Sequence, residues 1–220
     1  MGRRLTFPLF ETRTLRMKIL LHIGCGIKDK TQTTLAFHNE EWDEIRYDID
    51  PDVAPDIVGN MTDLITLAPA SVDAIYASNC LETLYPHEVP QALAEFRRVL
   101  TEDGFVVINS PDLQAVCTLV AKGKVLDPAF VSPENGLVTP FDLLFGHRPS
   151  LAEGNMFMAH RCGFTSQMLS GALQAAGFSM VASMVRPKHY DLWTVASKSQ
   201  RTEPEMRALA SEHFPGLGVM

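Results

Sequence analysis

Hydrophobic and polar segments alternate along the first half of the chain in a way that predicts strands and helices following one another. Five apolar, strand-like runs are predicted, at about residues 17–23, 44–48, 56–58, 72–77 and 105–109. Ahead of the last run, Val89, Leu93, Phe96 and Leu100 recur every three or four residues, which predicts a helix with one apolar face. This alternation predicts an α/β fold, doubly wound around a mostly parallel sheet with helices on both faces.

The last part of the chain predicts one more helix and two closing strands. The helix runs from Thr165, a suitable N-cap, to Ala176, and Gly177 follows where left-handed backbone commonly ends a helix. The strands lie near residues 178–186 and 191–197 and are predicted to pair as an antiparallel hairpin around the turn formers at 187–189. The polar tail beyond Ser199 is predicted to hold a helix at about residues 203–213.

The segment from about residue 111 to residue 164 does not continue the alternation. A helix is predicted at Leu113–Lys122, and turn-forming prolines and glycines then become frequent. Large apolar side chains persist at Phe130, Phe141, Leu143, Leu144, Phe145, Met156, Phe157 and Met158. We therefore expect an ordered lid over the carboxyl end of the fifth strand, because irregular chain of this length in a compact protein is usually functional. The expected organisation is a single domain, residues 1–220, with this lid at about 111–164 and a tail at about 199–220.

A Gly-x-Gly turn, Gly24-Cys25-Gly26, directly follows the first predicted strand. Glycines at such a turn let the backbone approach a ligand closely, because they lack Cβ and tolerate positive φ. About twenty residues later the second strand ends in Asp48, whose carboxylate suits the two hydroxyls of a ribose. Strand, glycine turn and acidic strand end together predict a nucleoside-binding βαβ unit.

The turn departs from the fingerprint of dinucleotide-binding proteins, which has a third glycine three residues after the second. That position holds Asp29, and its neighbours Lys28 and Lys30 are bulky and charged. A carboxylate next to a pyrophosphate would be repulsive. The loop therefore favours a nucleoside ligand without phosphates, and it argues against a nicotinamide-dependent reductase.

Composition and charge narrow the classes of partner. The chain has 220 residues, 46% of them hydrophobic, with a net charge of −7 and no dense cluster of Lys and Arg. This argues against nucleic acid as the main partner, because phosphate-tracking surfaces are basic. No run of about eighteen apolar residues occurs, so we expect no membrane span.

The four cysteines, Cys25, Cys80, Cys117 and Cys162, are widely spread and form no Cys-x-x-Cys pair. We therefore expect no disulfide framework, no metal site and a cytoplasmic location. At the N-terminus, Met1–Thr6 matches a short myristoylation pattern and Arg3-Arg4 looks like the start of an export signal. Neither is expected to function, because charged residues such as Glu11 and Arg13 interrupt any apolar export region.

Taken in order, these features make the chain resemble the class I S-adenosylmethionine-dependent methyltransferases, over about residues 17–110 and again over 164–198. The match comprises the glycine turn, the acidic end of strand two, the loop Gly59–Leu64, the loop Ser78–Leu84 and the later Arg97–Leu100 with Asp103-Gly104. The resemblance implies seven strands in the order 3-2-1-4-5-7-6, with strand seven antiparallel. It also implies S-adenosyl-L-methionine as cofactor.

The resemblance assigns roles to particular residues. The glycine turn would pass under the methionine part, Asp48 would bind the ribose with Asp50 as second candidate, and Asn60 with the backbone of Met61 would meet the adenine. The implied cofactor-binding set is His22, Gly24, Cys25, Gly26, Asp48, Ile49, Asp50, Asn60, Met61, Ser78, Asn79 and Cys80. Three positions depart from the family pattern: His22 where an acidic residue is common, Lys28 in place of a glycine, and Thr83 in place of a histidine.

Methyl transfer requires mainly that nucleophile and methyl are held close and in line, and a general base is needed only for some acceptors. The candidates for a catalytic role are His147, Tyr85 and His87, with Asn109, Asp112 and His160 also near the expected pocket. For Asp112, capping of the helix that starts at Leu113 is the competing interpretation.

The sequence therefore predicts methyl transfer to a small or medium organic acceptor, by a monomer or a homodimer. A catalytically inactive cofactor-binding module or partner subunit is the alternative, and His22, Lys28 and Thr83 are the residues that keep it open.

Overall fold

A computed structural model describes residues 16–132 and 136–216 of the chain. The N-terminal patterns at Met1–Thr6 lie outside these residues. The described residues form nine strands: β1 (Lys18–Ile23), β2 (Trp42–Asp48), β3 (Ile57–Val58), β4 (Val72–Ser78), β5 (Leu100–Pro111), β6 (Phe130–Ser132), β7 (Gly136–Val138), β8 (Met180–Arg186) and β9 (Asp191–Ser197). They also form six α-helices: α1 (Val89–Val99), α2 (Leu113–Ala121), α3 (Pro140–Phe145), α4 (Arg148–Ala152), α5 (Ser166–Ala175) and α6 (Glu203–His213).

Seven strands form one sheet in the order β3-β2-β1-β4-β5-β9-β8. Strands β1 to β5 pair in parallel, and β9 is antiparallel to both β5 and β8. Since β8 and β9 are the sixth and seventh strands of this sheet, the predicted order and the antiparallel last strand are confirmed. The strand order reverses at β1, so the carboxyl ends of β1 and β4 diverge there and leave a crevice where ligands bind in such sheets.

Two apolar clusters cover the two faces of the sheet. On one face, α1 and α5 bury Phe96 and Leu169 against Leu21 and Ile75 of the sheet. On the other face, side chains of α6 pack on a cluster that includes Leu20, Trp42, Tyr76, Val107 and Trp193. The prediction of helices on both faces is confirmed, although α6 comes from the polar tail and not from a crossover between parallel strands.

The connection between β1 and β2 differs from the predicted βαβ unit. Every residue between these strands is described, and the chain there forms two 3-10 turns, Lys30–Gln32 and Leu35–Phe37, in place of an α-helix. Asp29 caps the first turn, and its carboxylate accepts a hydrogen bond from the Thr31 amide at 2.8 Å. The segment contains Asp29, Thr31, Thr33 and Thr34, residue types that favour caps and turns over helix interiors.

Strand β5 is longer than predicted. The sequence predicted the fifth strand at about residues 105–109, but β5 begins at Leu100, directly after α1. The pairing with β4 shifts register between Val72, which faces Leu100, and Ala74, which faces Phe105. Residues 101–104 therefore form an irregularity inside the strand.

The remaining predicted elements are confirmed with small changes in their ends. Helix α5 has Thr165 as its N-cap, with the Thr165 side chain accepting from the Met168 amide, and Gly177 follows with φ +91°. Strands β8 and β9 pair as the predicted hairpin, and α6 spans the predicted residues. None of the helices in the described ranges is long and apolar enough to cross a bilayer.

Residues 112–164, which we call the insertion, leave and rejoin the sheet at one place. The amide of Leu113 donates to the carbonyl oxygen of Phe164 at 2.9 Å, so the two ends of the insertion are held together. Between them lie α2, the β6–β7 hairpin, α3 and α4. Arg148 of α4 donates to Asp142 of α3 at 2.6 Å, which links these two short helices. Both ends of the insertion therefore lie at the carboxyl end of β5, as predicted.

Candidate active site

A cavity of about 340 Å³ lies at the carboxyl ends of β1, β2 and β4. Its walls come from the glycine turn, the loops after β2, β3 and β4, and the last part of the insertion. The lining residues are Ile23, Gly24, Gly26, Tyr47, Asp48, Ile49, Asp50, Val53, Gly59, Asn60, Met61, Asn79, Cys80, Thr83, Leu84, Tyr85, Glu88, Asn155, Phe157, Met158 and Arg161. Nine of the twelve residues predicted to bind a cofactor therefore lie at one cavity.

The glycine turn is fitted tightly against the loop after β4. Gly24 has φ +62°, and a Cβ added there would lie 2.5 Å from Cβ of Cys80. The amides of Gly24 and Cys25 both donate to the carbonyl oxygen of Tyr47, at 2.9 and 3.4 Å. The turn thus requires glycine at its first position both for its backbone conformation and for lack of space.

Asp48 fixes the geometry of the turn from the neighbouring strand. Its Oδ2 accepts from the Gly26 amide at 2.7 Å, and its Oδ1 accepts from the Asp50 amide at 3.0 Å. The residue is only 9% exposed, but it lines the cavity. Since each carboxylate oxygen has two lone pairs, Asp48 can still accept hydrogen bonds from a ligand hydroxyl. Asp50 instead caps a 3-10 turn, accepting from the Asp52 amide at 2.9 Å.

Arg46 supports the same region and was missed by the sequence analysis. Its guanidinium donates to the carbonyl oxygens of Gly26, Lys28 and Ala54, at 2.6, 2.9 and 2.9 Å. It therefore joins the loop after β1 to the loop after β2. A lone arginine within a strand carries no sequence signal for such a role, because its acceptors, which also include the Val53 carbonyl oxygen, are all backbone carbonyls.

The loop after β3 forms the far end of the cavity. Gly59 lies under the Tyr47 ring, where an added Cβ would be 2.1 Å from the Tyr47 hydroxyl oxygen. That hydroxyl donates to the Asn60 carbonyl oxygen at 3.2 Å, and Asn60 Oδ1 accepts from the Thr62 amide at 3.0 Å. Met61 lines this end together with Ile49, which gives an apolar surface beside a polar edge. A planar heterocycle with polar edges fits such a surface.

The loop after β4 closes the cavity on the other side. Asn79 has a left-handed backbone with φ 51°, and its amide donates to the Asn109 carbonyl oxygen at 2.9 Å. Thr83, the residue in place of the family histidine, donates its hydroxyl to the Cys80 carbonyl oxygen at 2.7 Å. Burial holds the pKa of the Cys80 thiol well above its ordinary value, so the thiol is neutral.

Three residues of the predicted cofactor set, His22, Cys25 and Ser78, do not line the cavity. His22 is buried on the opposite face of the sheet, where its Nδ1 lies 2.8 Å from Glu44 Oε1 and its ring meets the edge of Tyr76. Cys25 is buried, and desolvation together with nearby Asp48 raises the pKa of its thiol to about 11. The Ser78 hydroxyl donates to Asn109 Oδ1 at 3.3 Å.

The three candidates for catalysis differ in whether they line the cavity. Tyr85 lines the cavity and is 51% exposed. His87 stacks on the Tyr85 ring with 5.7 Å between centroids, but it does not line the cavity. His147 does not line it either and lies at the start of α4, with its Nδ1 2.8 Å from the Ser150 hydroxyl. Only Tyr85 of the three therefore lines the cavity, and a catalytic role for any of them stays a prediction.

Asp112 and Asn109, two further candidates, lie at or just after the carboxyl end of β5. Asp112 is the N-cap of α2, where its Oδ1 accepts from the Gln114 amide at 3.2 Å, so the capping interpretation holds. Asn109 is buried at the end of β5, and its Nδ2 donates to the Leu192 carbonyl oxygen at 3.3 Å.

A second cavity, of about 310 Å³, adjoins the first at Asn79. It lies at the carboxyl end of β5 and beneath the β6–β7 hairpin, and its lining includes Asn109, Pro111, Phe130 and Tyr190. Both cavities therefore open on the same edge of the sheet, with Asn79 between them. No group of residues that could hold a metal ion occurs in the described ranges.

The insertion contributes Arg161, which the sequence did not indicate as a cavity residue. The Arg161 guanidinium donates to the Thr83 carbonyl oxygen at 2.5 Å and lies 5.1 Å from the centre of the Tyr85 ring. This contact joins residues 78 positions apart. Proximity of this kind leaves no local pattern in the sequence.

Comparisons with known proteins agree with this geometry. Residues 21–108 match the family model described as a methyltransferase domain. No curated protein sequence matches the chain significantly.

Among solved structures, the chain is similar to an S-adenosylmethionine-dependent methyltransferase from Archaeoglobus fulgidus, with TM-score 0.54 and 14% identity over 83% of this chain and 87% of that one. It is similar to 1,6-didemethyltoxoflavin-N1-methyltransferase from Burkholderia thailandensis, solved with S-adenosylhomocysteine, with TM-score 0.52 and 18% identity over 83% and 71% of the two chains. It is also similar to the CMeT domain of the citrinin polyketide synthase, with TM-score 0.55 and 16% identity over 86% of this chain. The chain covers only 48% of that last structure.

At such identities the structural similarity concerns the fold, whereas the family match covers the strands and loops that form the cavity. The residues present also fit the cofactor: a glycine turn without room for a Cβ, a buried strand-end carboxylate and an apolar surface with polar edges meet at one cavity. Residues 21–108, which supply most of the cavity, thus match a methyltransferase domain, and the fold of the chain is that of S-adenosylmethionine-dependent methyltransferases.

Proposed function

We propose that this chain transfers the methyl group of S-adenosylmethionine to a small or medium organic acceptor. The observation that carries the proposal is the pair of adjoining cavities that share Asn79. One cavity has the lining expected for the cofactor, and the other lies at the end of β5 beneath the insertion. A methyl donor and an acceptor bound in these cavities would meet at Asn79.

The cofactor is held by residues from three loops in this proposal. The turn Gly24–Gly26 passes under the methionine part, and Asp48 accepts hydrogen bonds from the ribose hydroxyls. Asn60 and the backbone of Met61 bind the adenine edge, while Ile49 packs on the ring. Asp48 also holds Gly26, so ribose binding and the shape of the turn are coupled through one carboxylate.

Bound S-adenosylmethionine supplies an activated sulfonium methyl, so the protein has to align the acceptor and exclude water. Asn79 occupies the position between the two ligands, and its amide is fixed to Asn109 at the end of β5. Tyr85 and Arg161 lie over the entrance of the first cavity, where the cation–ring contact joins the insertion to the loop after β4. We infer that Tyr85 orients ligands at this entrance and that no general base is required for acceptors that lose their proton readily.

Two observations support a small-molecule acceptor. The second cavity has a volume of about 310 Å³ and is bounded in part by the insertion, a size that suits a compact organic molecule. The net charge of −7 is unfavourable for binding nucleic acid. A similar structure is named as an N-methyltransferase of 1,6-didemethyltoxoflavin, which is consistent with this class of acceptor.

The test is a methyl-transfer assay that measures formation of S-adenosylhomocysteine over a panel of phenols, amines, thiols and carboxylates. We expect turnover with at least one class, and its loss in Asp48→Ala. Binding of S-adenosylmethionine without turnover over the whole panel would favour the alternative, a cofactor-binding module without transfer. Absence of cofactor binding would contradict both.

A further inference from the structure

Glu82 is a buried carboxyl group without a hydrogen-bonding partner. It belongs to the 3-10 turn Leu81–Thr83. Thr83 of this turn and the preceding Cys80 line the first cavity, which we call the cofactor cavity. The residue is 1% exposed, and neither carboxylate oxygen has a partner among the described residues. Burial raises its pKa to about 8, so the carboxyl group is mostly protonated at neutral pH. An unpaired buried carboxyl destabilises a fold, which makes it a candidate for a ligand contact.

Glu82 lines a third cavity of about 180 Å³. The apolar wall of this cavity consists of Leu113, Val116, Leu143, Leu144 and Phe145. The cavity shares Pro111 and Leu143 with the second cavity and Arg161 with the cofactor cavity. It therefore forms an apolar recess beside the place where an acceptor would bind, with one carboxyl group at its wall.

His160 adds a hydrogen-bond acceptor to the same recess. Its Nδ1 lies 3.0 Å from the Leu143 carbonyl oxygen, which can only accept, so Nδ1 carries the proton. Burial lowers the pKa of His160, so the ring is neutral at neutral pH. Nε2 is then an unprotonated acceptor, and no described residue bonds to it.

The donors that border the recess have partners outside it. Arg161 lines both the recess and the cofactor cavity, and its guanidinium donates from Nη1 to the Thr83 carbonyl oxygen and lies on the Tyr85 ring, both on the side of the cofactor cavity. The Cys162 thiol donates to the Leu81 carbonyl oxygen at 3.7 Å, and burial next to Glu82 raises its pKa to about 11. Glu82 and His160 therefore offer a ligand a carboxyl group and an imidazole acceptor between apolar walls, which suits a hydrogen-bond donor or a cation.

We propose that this recess binds the amino group of a compact ligand with an apolar body, with Glu82 as its counter-ion and His160 Nε2 as a second acceptor. When a protonated amine binds, Glu82 releases its proton to solvent, and an ammonium–carboxylate pair replaces the neutral acid. The amine site itself does not depend on the proposed function. The further statement that the methyl acceptor is an amine of this kind rests on the proposed function.

The test uses three probes of similar shape, benzylamine, benzyl alcohol and benzoate, titrated calorimetrically with and without saturating S-adenosylhomocysteine. We expect benzylamine to bind at least tenfold more tightly than the other two, with release of about one proton at pH 7. Glu82→Gln keeps the shape and removes the charge, and it should weaken benzylamine binding at least tenfold. Leu144→Phe narrows the recess without changing its charge and should also weaken it.

Controls separate this proposal from the proposed function. Exposed Glu102→Gln removes a carboxylate elsewhere and should leave all binding unchanged. S-adenosylhomocysteine binding to Glu82→Gln, measured in the same samples, shows whether the variant is folded. Normal cofactor binding with no benzylamine binding, or tighter binding of benzoate, would overturn the amine site but not methyl transfer. If only cofactor binding fails, the proposed function is contradicted, and the benzylamine titration still decides whether the amine site exists.

Discussion

The carboxylate of Asp48 accepts a 2.7 Å hydrogen bond from the amide of Gly26, so the end of β2 holds the turn that follows β1. The same carboxylate lines the cofactor cavity. A single side chain thus both fixes the turn and lines the cavity. Substitutions here are expected to affect cofactor binding before they affect folding.

Asp48→Ala should weaken S-adenosylmethionine binding by about 1–3 kcal/mol, because a hydrogen bond to a charged acceptor is lost and the Gly26 amide is left unpaired. Asp48→Asn should weaken S-adenosylmethionine binding less, since its amide oxygen still accepts one hydrogen bond. Calorimetric titration of both variants measures the difference. Exposed Asp52→Asn, four residues beyond the end of β2, is the control. An unchanged dissociation constant in Asp48→Ala would move the ribose contact to another residue.

Arg46→Met should loosen the loops on both sides of the cavity. The variant keeps the length of the side chain but removes donors to the carbonyl oxygens of Gly26, Lys28 and Ala54. We expect faster amide hydrogen exchange at residues 26–28 and cofactor binding weaker by about 1–3 kcal/mol. Arg207→Met, which breaks an exposed pair with Glu203 in α6, should change neither. Equal exchange in both variants would show that Arg46 does not support the turn.

Gly24→Ala and Gly26→Ala form a matched pair, because both glycines have positive φ but only one lacks space. A Cβ at Gly24 would lie 2.5 Å from Cβ of Cys80, whereas nothing lies within 4 Å of a Cβ at Gly26. Gly26→Ala should lower the free energy of unfolding by about 1 kcal/mol through backbone strain alone. Gly24→Ala should lower it by more than about 2 kcal/mol, since the loop after β4 must also move. Chemical denaturation measures both values, and equal losses would contradict the close packing of this turn on Cys80.

Glu82 should make the protein less stable as pH rises. Its pKa is about 8 in the folded protein and near 4.5 when unfolded, so the folded state binds more protons between these values. The free energy of unfolding should therefore fall by about 2 kcal/mol between pH 6.5 and pH 8. Glu82→Gln should abolish this fall, whereas Glu102→Gln should not. If the free energy of unfolding of Glu82→Gln still falls over this pH range, the fall comes from another group.

His213 should act in the opposite direction at lower pH. It is buried beside Phe37 and Phe105, its Nδ1 lies 2.7 Å from the Thr34 hydroxyl, and burial lowers its pKa to about 4. The unfolded chain then binds the proton more readily, so stability should fall by about 3 kcal/mol as pH drops from 6.5 to 4. His213→Phe should flatten this range and exposed His189→Gln should not. Denaturation curves at several pH values test the prediction.

The sequence predicted the sheet well because its strands are continuous apolar runs, and their order was implied by the family resemblance. It could not predict that the segment after Gly26 lacks an α-helix, since a glycine turn is usually followed by one. Nor could it predict that β5 begins at Leu100, because the irregularity depends on pairing with Val72. These differences arise from tertiary context, which local patterns do not contain.

The cavity shows the same division between local and distant information. Asp48 was predicted because it ends a strand opposite the glycine turn, and Asn79 was implied by the family resemblance. Arg161 was missed because it reaches the cavity from the insertion. His22 was expected at the cavity, but the alternation of side chains along β1 directs it to the other face, where it pairs with Glu44.

Titration of the unmodified chain with S-adenosylmethionine, S-adenosylhomocysteine and NADH tests the central claim most directly. The account predicts that both adenosyl compounds bind with one-to-one stoichiometry and micromolar dissociation constants, and that NADH does not bind. Absence of S-adenosylmethionine binding at high micromolar concentration, or preferential binding of NADH, would contradict it.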